Sequence, residues 1–168
     1  RLPVKEICEM AKEKGLLTIV DGAHVPGHIP LDLADLKADI YTGACHKWMM
    51  TPKGCSFLFV KKEIQDQFDP VIISWGYESA APSHSRFIDY HQMQGTRDFS
   101  SFLTVPKAIE FLEANNWPQV ATACRELARN NRPMFCDLLG SYPLCPPDDN
   151  FLAQIVSIPI KTSQPEKL

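Results

Sequence analysis

Asp21, His24, His46 and Lys47 are the residues of this chain whose types and spacing best suit covalent chemistry on a small molecule. Asp21 ends an apolar run, Leu16 to Val20, and Gly22 and Ala23 separate it from His24. A second run, Ala38 to Tyr41, leads through Thr42-Gly43-Ala44-Cys45 to His46, Lys47 and Trp48. Both runs read as strands. The acid therefore stands at the C-terminal end of one, and the lysine just beyond the C-terminal end of the other. In open α/β sheets that edge is where ligands bind.

An acid and a lysine so placed suit pyridoxal phosphate, which needs an amine for its aldehyde and a carboxylate to keep its ring nitrogen protonated. The amine must be partly neutral to attack, and the apolar Trp48-Met49-Met50 beside it favours that form by desolvation. A second candidate lies at Gln94 to Asp98. Gly95 lets the backbone approach an anion, and Thr96 offers a hydroxyl and an N–H. The same residues also read as an ordinary helix entry, with Asp98 or Ser100 as the cap.

The elements that must position these residues alternate helix and strand. Lys5 to Lys14 predicts a helix with an apolar stripe at Val4, Ile7, Cys8 and Ala11, Pro3 before it and Gly15 closing it. Leu16 to Val20 predicts a buried strand of a parallel sheet. Asp32 to Leu36 predicts one helical turn, Ala38 to Tyr41 a short strand, and Cys55 to Val60 an antiparallel neighbour reached through the turn at Pro52-Lys53-Gly54. Val71 to Ile73 reads as a short strand within an irregular stretch. The loop that follows carries Trp75, Tyr77, Phe87 and Tyr90, which either meet a substrate or pack under the loop. Helices are expected over Ser101 to Ala114 and Trp117 to Leu139, the second bent or broken at Pro133. Ala153 to Ile158 reads as a last strand.

The set D-G-A-H, A-D-x-Y-x-G, H-K-W and P-x-G resembles the class V aminotransferase family, and most of all its isopenicillin N epimerase-like branch. The resemblance runs from Leu2 to about Leu112. It implies a fold-type I α/β domain with helices on a mostly parallel sheet, and pyridoxal 5′-phosphate as cofactor. It further implies that Lys47 forms the Schiff base, Asp21 pairs with the pyridinium and His24 sits near the ring oxygen or imine. His46 would reach the phosphate. Gly95 and Thr96 would contact the cofactor of a neighbouring subunit in a homodimer. Ala44 departs from the pattern, because many relatives carry a phosphate-binding hydroxyl there; Thr42 or backbone N–H groups are the available substitutes. The implied activity is at the α-carbon of an amino acid or an amino-acid-containing substrate, epimerase-like, with a cysteine desulfurase, an aminotransferase or a catalytically silent fragment as alternatives.

Composition narrows the classes. A chain of 168 residues is long enough for one core, and 45% hydrophobic and 22% charged residues belong to a globular protein. A net charge of −3 supplies no basic field for nucleic acid. No apolar run approaches the roughly 18 residues of a membrane span. Six cysteines without a C-x-x-C pair read as reduced thiols in a cytoplasmic protein, and no metal site is expected. Residues 1–140 are expected to be the later part of a cofactor-binding domain, and 141–168 a linker and the first strand of another; the whole reads as an internal piece of a longer protein.

Overall fold

The helix that opens the chain ends where its glycine stands, and this turn sets the direction of the first strand. The computed structural model describes residues 1–167. Helix α1 spans Val4–Glu13 and buries Cys8. The N–H groups of Lys14 and Gly15 fold back onto Ala11 and Lys12, with Gly15 left-handed at φ 66°. Strand β1 follows at Ile19–Asp21, and helix α2, Leu33–Leu36, is capped by the Asp32 carboxylate, which accepts from the Ala34 and Asp35 N–H groups.

Strand β2 (Ile40–Ala44) is the centre of the sheet. It pairs parallel with β1, placing Asp21 beside Thr42, and antiparallel with β3 (Ser56–Val60), placing Ala44 beside Ser56. Tyr41 is buried, with its ring stacked 6.0 Å from Phe57. Ala38, Ile40, Ala44, Cys45, Cys55 and Val60 complete this core. At the opposite end of the sheet Asp39 ties all three strands. It accepts from the Thr18 N–H and hydroxyl, each at 2.9 Å, and from Lys61 at 2.8 Å. Burial alone would raise its pKa, but those hydrogen bonds outweigh it and hold the carboxyl below its usual value.

Several expectations are corrected here. The run Leu16 to Val20 is not a buried strand: β1 begins only at Ile19, which is 74% exposed. It is an edge strand, with no further strand on its open side among the described residues. Val71, Ile72 and Ile73 lie exposed in a loop, and residues 153–158 form no strand. Both segments have strand-like composition but no neighbour to complete a ladder. The stretch from Glu63 to His91 is more regular than expected, with a 3₁₀ turn at Lys62–Gln67 and helix α3 at Arg86–His91, whose cap Ser85 accepts from the Ile88 N–H.

The helix expected over Ser101 to Ala114 is two, α4 (Ser100–Leu103) and α5 (Val105–Ala114). They part at Thr104, two residues before Pro106, which has no N–H to continue the ladder. Helix α6, Trp117–Leu138, runs unbroken through Pro133. The chain beyond it returns to the first strand's end. The Phe151 carbonyl accepts from the Arg1 amino group at 2.6 Å, and the Gln154 N–H donates to His28 at 2.9 Å.

Candidate active site

Asp21 stands where β1 stops. Its Oδ1 accepts from the Ala23 N–H at 3.0 Å, and the Gly22 N–H donates to the Thr42 carbonyl, so the chain turns sharply off the sheet. Gly22 is required for this turn, because a Cβ there would lie 1.9 Å from the Tyr41 hydroxyl. The carboxylate is exposed and enters no ion pair among the described residues.

Lys47 lies three residues past the end of β2. The Cys45 N–H still donates to the Cys55 carbonyl, extending the ladder by one step. A closed loop follows, with Thr51 N–H on the Cys45 carbonyl and Met50 N–H on the Lys47 carbonyl, each at 3.2 Å. Met50 is held left-handed at φ 61°, a strained conformation for a side chain of its size. Lys47 is half-buried, and its amine makes no hydrogen bond or ion pair among the described residues. The neighbouring Cys45 thiol is pushed up to about 11, chiefly by burial and then by Cys55. It is a protonated core residue and no nucleophile.

The histidines are oriented by what their rings touch. His46 Nδ1 lies 3.1 Å from the Cys55 carbonyl and must carry its proton there, so Nε2 donates to an anion only when the ring is charged. The Trp48 indole N–H donates to His24 Nδ1 at 3.3 Å, leaving an Nε2–H donor on the other side of that ring. Trp48 also stacks on His28, centroids 4.1 Å apart. His28 in turn gives its Nδ1 proton to the His24 carbonyl and accepts from Gln154 at Nε2. Trp48, one residue past the lysine, is therefore the link between the two halves of the site.

A cavity of about 920 Å³ opens at this edge of the sheet. Asp21, His24 and His28 line it from β1 and the loop that follows, and Arg132 lines it from α6. His46 and Lys47 do not line it; they approach its border through Trp48. Gly95 and Thr96 lie apart from it, Gly95 at φ 106° with open space around it and Thr96 exposed. Thr42 does not replace the hydroxyl missing at Ala44, since its own hydroxyl donates to the Phe57 carbonyl at 3.2 Å. Arg132 carries no local sequence signal: an arginine on a long amphipathic helix reads as solvated, and only the returning chain covers it.

The sequence profile described as aminotransferase class-V matches residues 1–168. This chain belongs to the class V aminotransferase family. It is 36% identical over 154 residues to an isopenicillin N epimerase of Amycolatopsis lactamdurans, covering 86% of this chain and 39% of that protein. It is 34% identical over 114 residues to an L-cysteine desulfhydrase of Arabidopsis thaliana, covering 66% of this chain and 24% of that one. Among solved structures, the apo cysteine desulfurase of Thermococcus onnurineus NA1 superposes with a TM-score of 0.75 at 22% identity, over 98% of this chain and 42% of that chain. This shares the fold-type I architecture. The chain thus spans about 39% of the length of the epimerase it matches.

The family's cofactor is pyridoxal 5′-phosphate. The residues present fit the ring end of that group. An unpaired carboxylate borders the cavity, an imidazole N–H stands three residues on, and a half-buried amine without a counter-ion lies at the end of the adjacent strand. At the phosphate end, the expected residue His46 lies two residues past β2 with its Nδ1 on the Cys55 carbonyl.

Proposed function

We propose that this chain is the central part of a pyridoxal-phosphate enzyme acting at the α-carbon of an amino acid or amino-acid-containing substrate, with epimerisation as its reaction. The observation that carries it is the parallel register of β1 and β2. That register sends one strand into an unpaired carboxylate and its neighbour into an unpaired amine at the same sheet edge. Support for epimerisation is the identity to the epimerases over 86% of the chain.

When bound, the cofactor supplies an electron sink for the pair left by a bond broken at the α-carbon. Asp21 holds the ring-nitrogen proton through its carboxylate, a charge-assisted hydrogen bond that strengthens as water is excluded. Lys47 holds the cofactor covalently through Nζ. The same Nζ, when free, would accept the α-proton of the substrate. His24 donates from Nε2 to orient the ring oxygen, and His46, when charged, meets the phosphate. Gly95 and Thr96 reach the cofactor of a second subunit, an arrangement supported by their distance from this chain's own cavity and the open space at Gly95.

A second reading, cysteine desulfuration or transamination on the same scaffold, is supported by the L-cysteine desulfhydrases among the relatives. Residues 141–168 are proposed as the passage into a further domain, and the compartment as the cytoplasm, in keeping with six free thiols. No helix among the described residues is long and apolar enough to cross a membrane.

Adding pyridoxal phosphate to the purified chain tests the reading. A visible absorbance band is expected with the wild type and its loss with Lys47→Ala. An unchanged band in that variant overturns the lysine's assignment.

A further inference from the structure

Arg132 of α6 is 4% exposed, and its Nε is enclosed without an acceptor. No carboxylate among the described residues pairs with it. Its hydrogen bonds run from Nη1 to a single residue: the carbonyl oxygen of Cys145 at 2.9 Å and the Cys145 sulfur at 3.5 Å. The chain beyond α6 thus folds back to set a thiol against a buried cation. A guanidinium stays charged inside a protein, and a buried cation lacking a counter-charge is costly. A negative charge on the Cys145 sulfur offsets that cost where it arises, and no ion need reach the enclosed Nε.

The six thiols are not equivalent. Cys8, Cys45, Cys55 and Cys136 are buried. Cys124 is exposed, beside a groove whose lining carries no charged side chain. Cys145 is partly exposed and lines the 920 Å³ cavity. Of the other cations lining that cavity, the Arg1 guanidinium is held by the Asp149 carbonyl and Lys5 by the Asp35 carboxylate. Arg132 is the one in contact with a thiol among the described residues. We propose that Cys145 is an oxidation site, a thiol that Arg132 activates toward hydroperoxides.

Cysteine attacks as the thiolate, and a neighbouring arginine favours that form. The sulfur attacks one peroxide oxygen, and the S–O bond forms as the O–O bond breaks. The departing oxygen takes up the thiol's proton and leaves as water or an alcohol. Sulfur gives two electrons to the peroxide and becomes a sulfenic acid, which cellular thiols return to cysteine. A hydroperoxide is small and uncharged, so it crosses a wall formed here by Leu144, Phe151 and Leu152 without the cost of desolvating an ion. Oxidation then adds a polar oxygen to the lining of the cavity that Asp21 and His24 share.

The test exposes the purified chain to equimolar hydrogen peroxide in the presence of dimedone, which traps sulfenic acids, and maps the adducts by peptide mass. Labelling of Cys145 ahead of Cys124 is expected, the reverse of the order that exposure alone dictates. Arg132→Gln should slow labelling of Cys145 about tenfold and leave Cys124 unchanged, whereas Arg132→Lys, which keeps a charge, should retain most of the rate. If Arg132→Gln does not fold, the order of the two cysteines in the wild type and in Arg132→Lys decides. Cys124 labelled as fast as Cys145, or an Arg132→Gln variant as reactive at Cys145 as the wild type, overturns the proposal. Neither outcome depends on pyridoxal phosphate or on Lys47.

Discussion

The side chain on which the site's geometry turns is His28, because it is held in one tautomer and stacked on the residue next to the lysine. Its Nδ1–H donates to the His24 carbonyl, and its Nε2 must stay unprotonated to accept from Gln154. Burial lowers its pKa below 6.5, opposed by the bond to His24 and assisted by nearby positive groups, His24 among them. A histidine depressed in the fold binds fewer protons there than when unfolded. Its stability contribution is therefore complete above about pH 6.5 and is lost as pH falls through the lowered value. The expected result is a melting midpoint that declines on acidification below that point. His28→Phe, which keeps a ring on Trp48 but cannot titrate, should flatten the decline; an unaltered slope would remove His28 from the account. The residues facing it, His24, Trp48 and the Gln154 N–H, carry no acid that would reverse this sign.

At the scale of elements, the lysine loop is pinned by the irregular segment between β1 and α2. Gly27 sits at φ 78°, and a Cβ there would stand 2.6 Å from the backbone carbon and oxygen of Trp48. Its carbonyl accepts from the Trp117 indole, tying the segment to α6. Gly27→Ala is expected to cost about 3 kcal/mol, from left-handed strain and overpacking together. The urea midpoint measures this, and cofactor affinity should fall with it as Trp48 is displaced. How far the site was legible beforehand follows from where its information is local. An acid ending a strand, an Asp32 cap and a lysine after a second strand are all local patterns, and the structure has Asp21 at the end of β1, Asp32 capping α2 and Lys47 three residues past β2. The strand-like segments at 71–73 and 153–158 misled because ladder formation depends on a neighbour, which composition does not report. The buried Arg132 and the engaged hydroxyl of Thr42 depend on long-range packing, beyond the reach of spacing alone.

For the whole molecule, the mixed three-stranded sheet is a platform with one finished side and one open edge. β2 and β3 enclose the core residues, whereas β1 leaves Ile19 uncovered and holds Asp21 at its tip. The chain spans about 39% of its epimerase relatives; Asp21 stands at the tip of that edge strand, His24 in the loop beyond it, and Lys47 past the end of the neighbouring β2. The account's central claim is that the amine of Lys47 and the carboxylate of Asp21 serve one cofactor. Borohydride reduction after incubation with pyridoxal phosphate, followed by peptide mass mapping, tests it most directly. The account predicts a single stable adduct on Lys47, sharply diminished in Asp21→Ala. An adduct spread over exposed lysines such as Lys53 and Lys62, or one on Lys47 indifferent to Asp21, would contradict it.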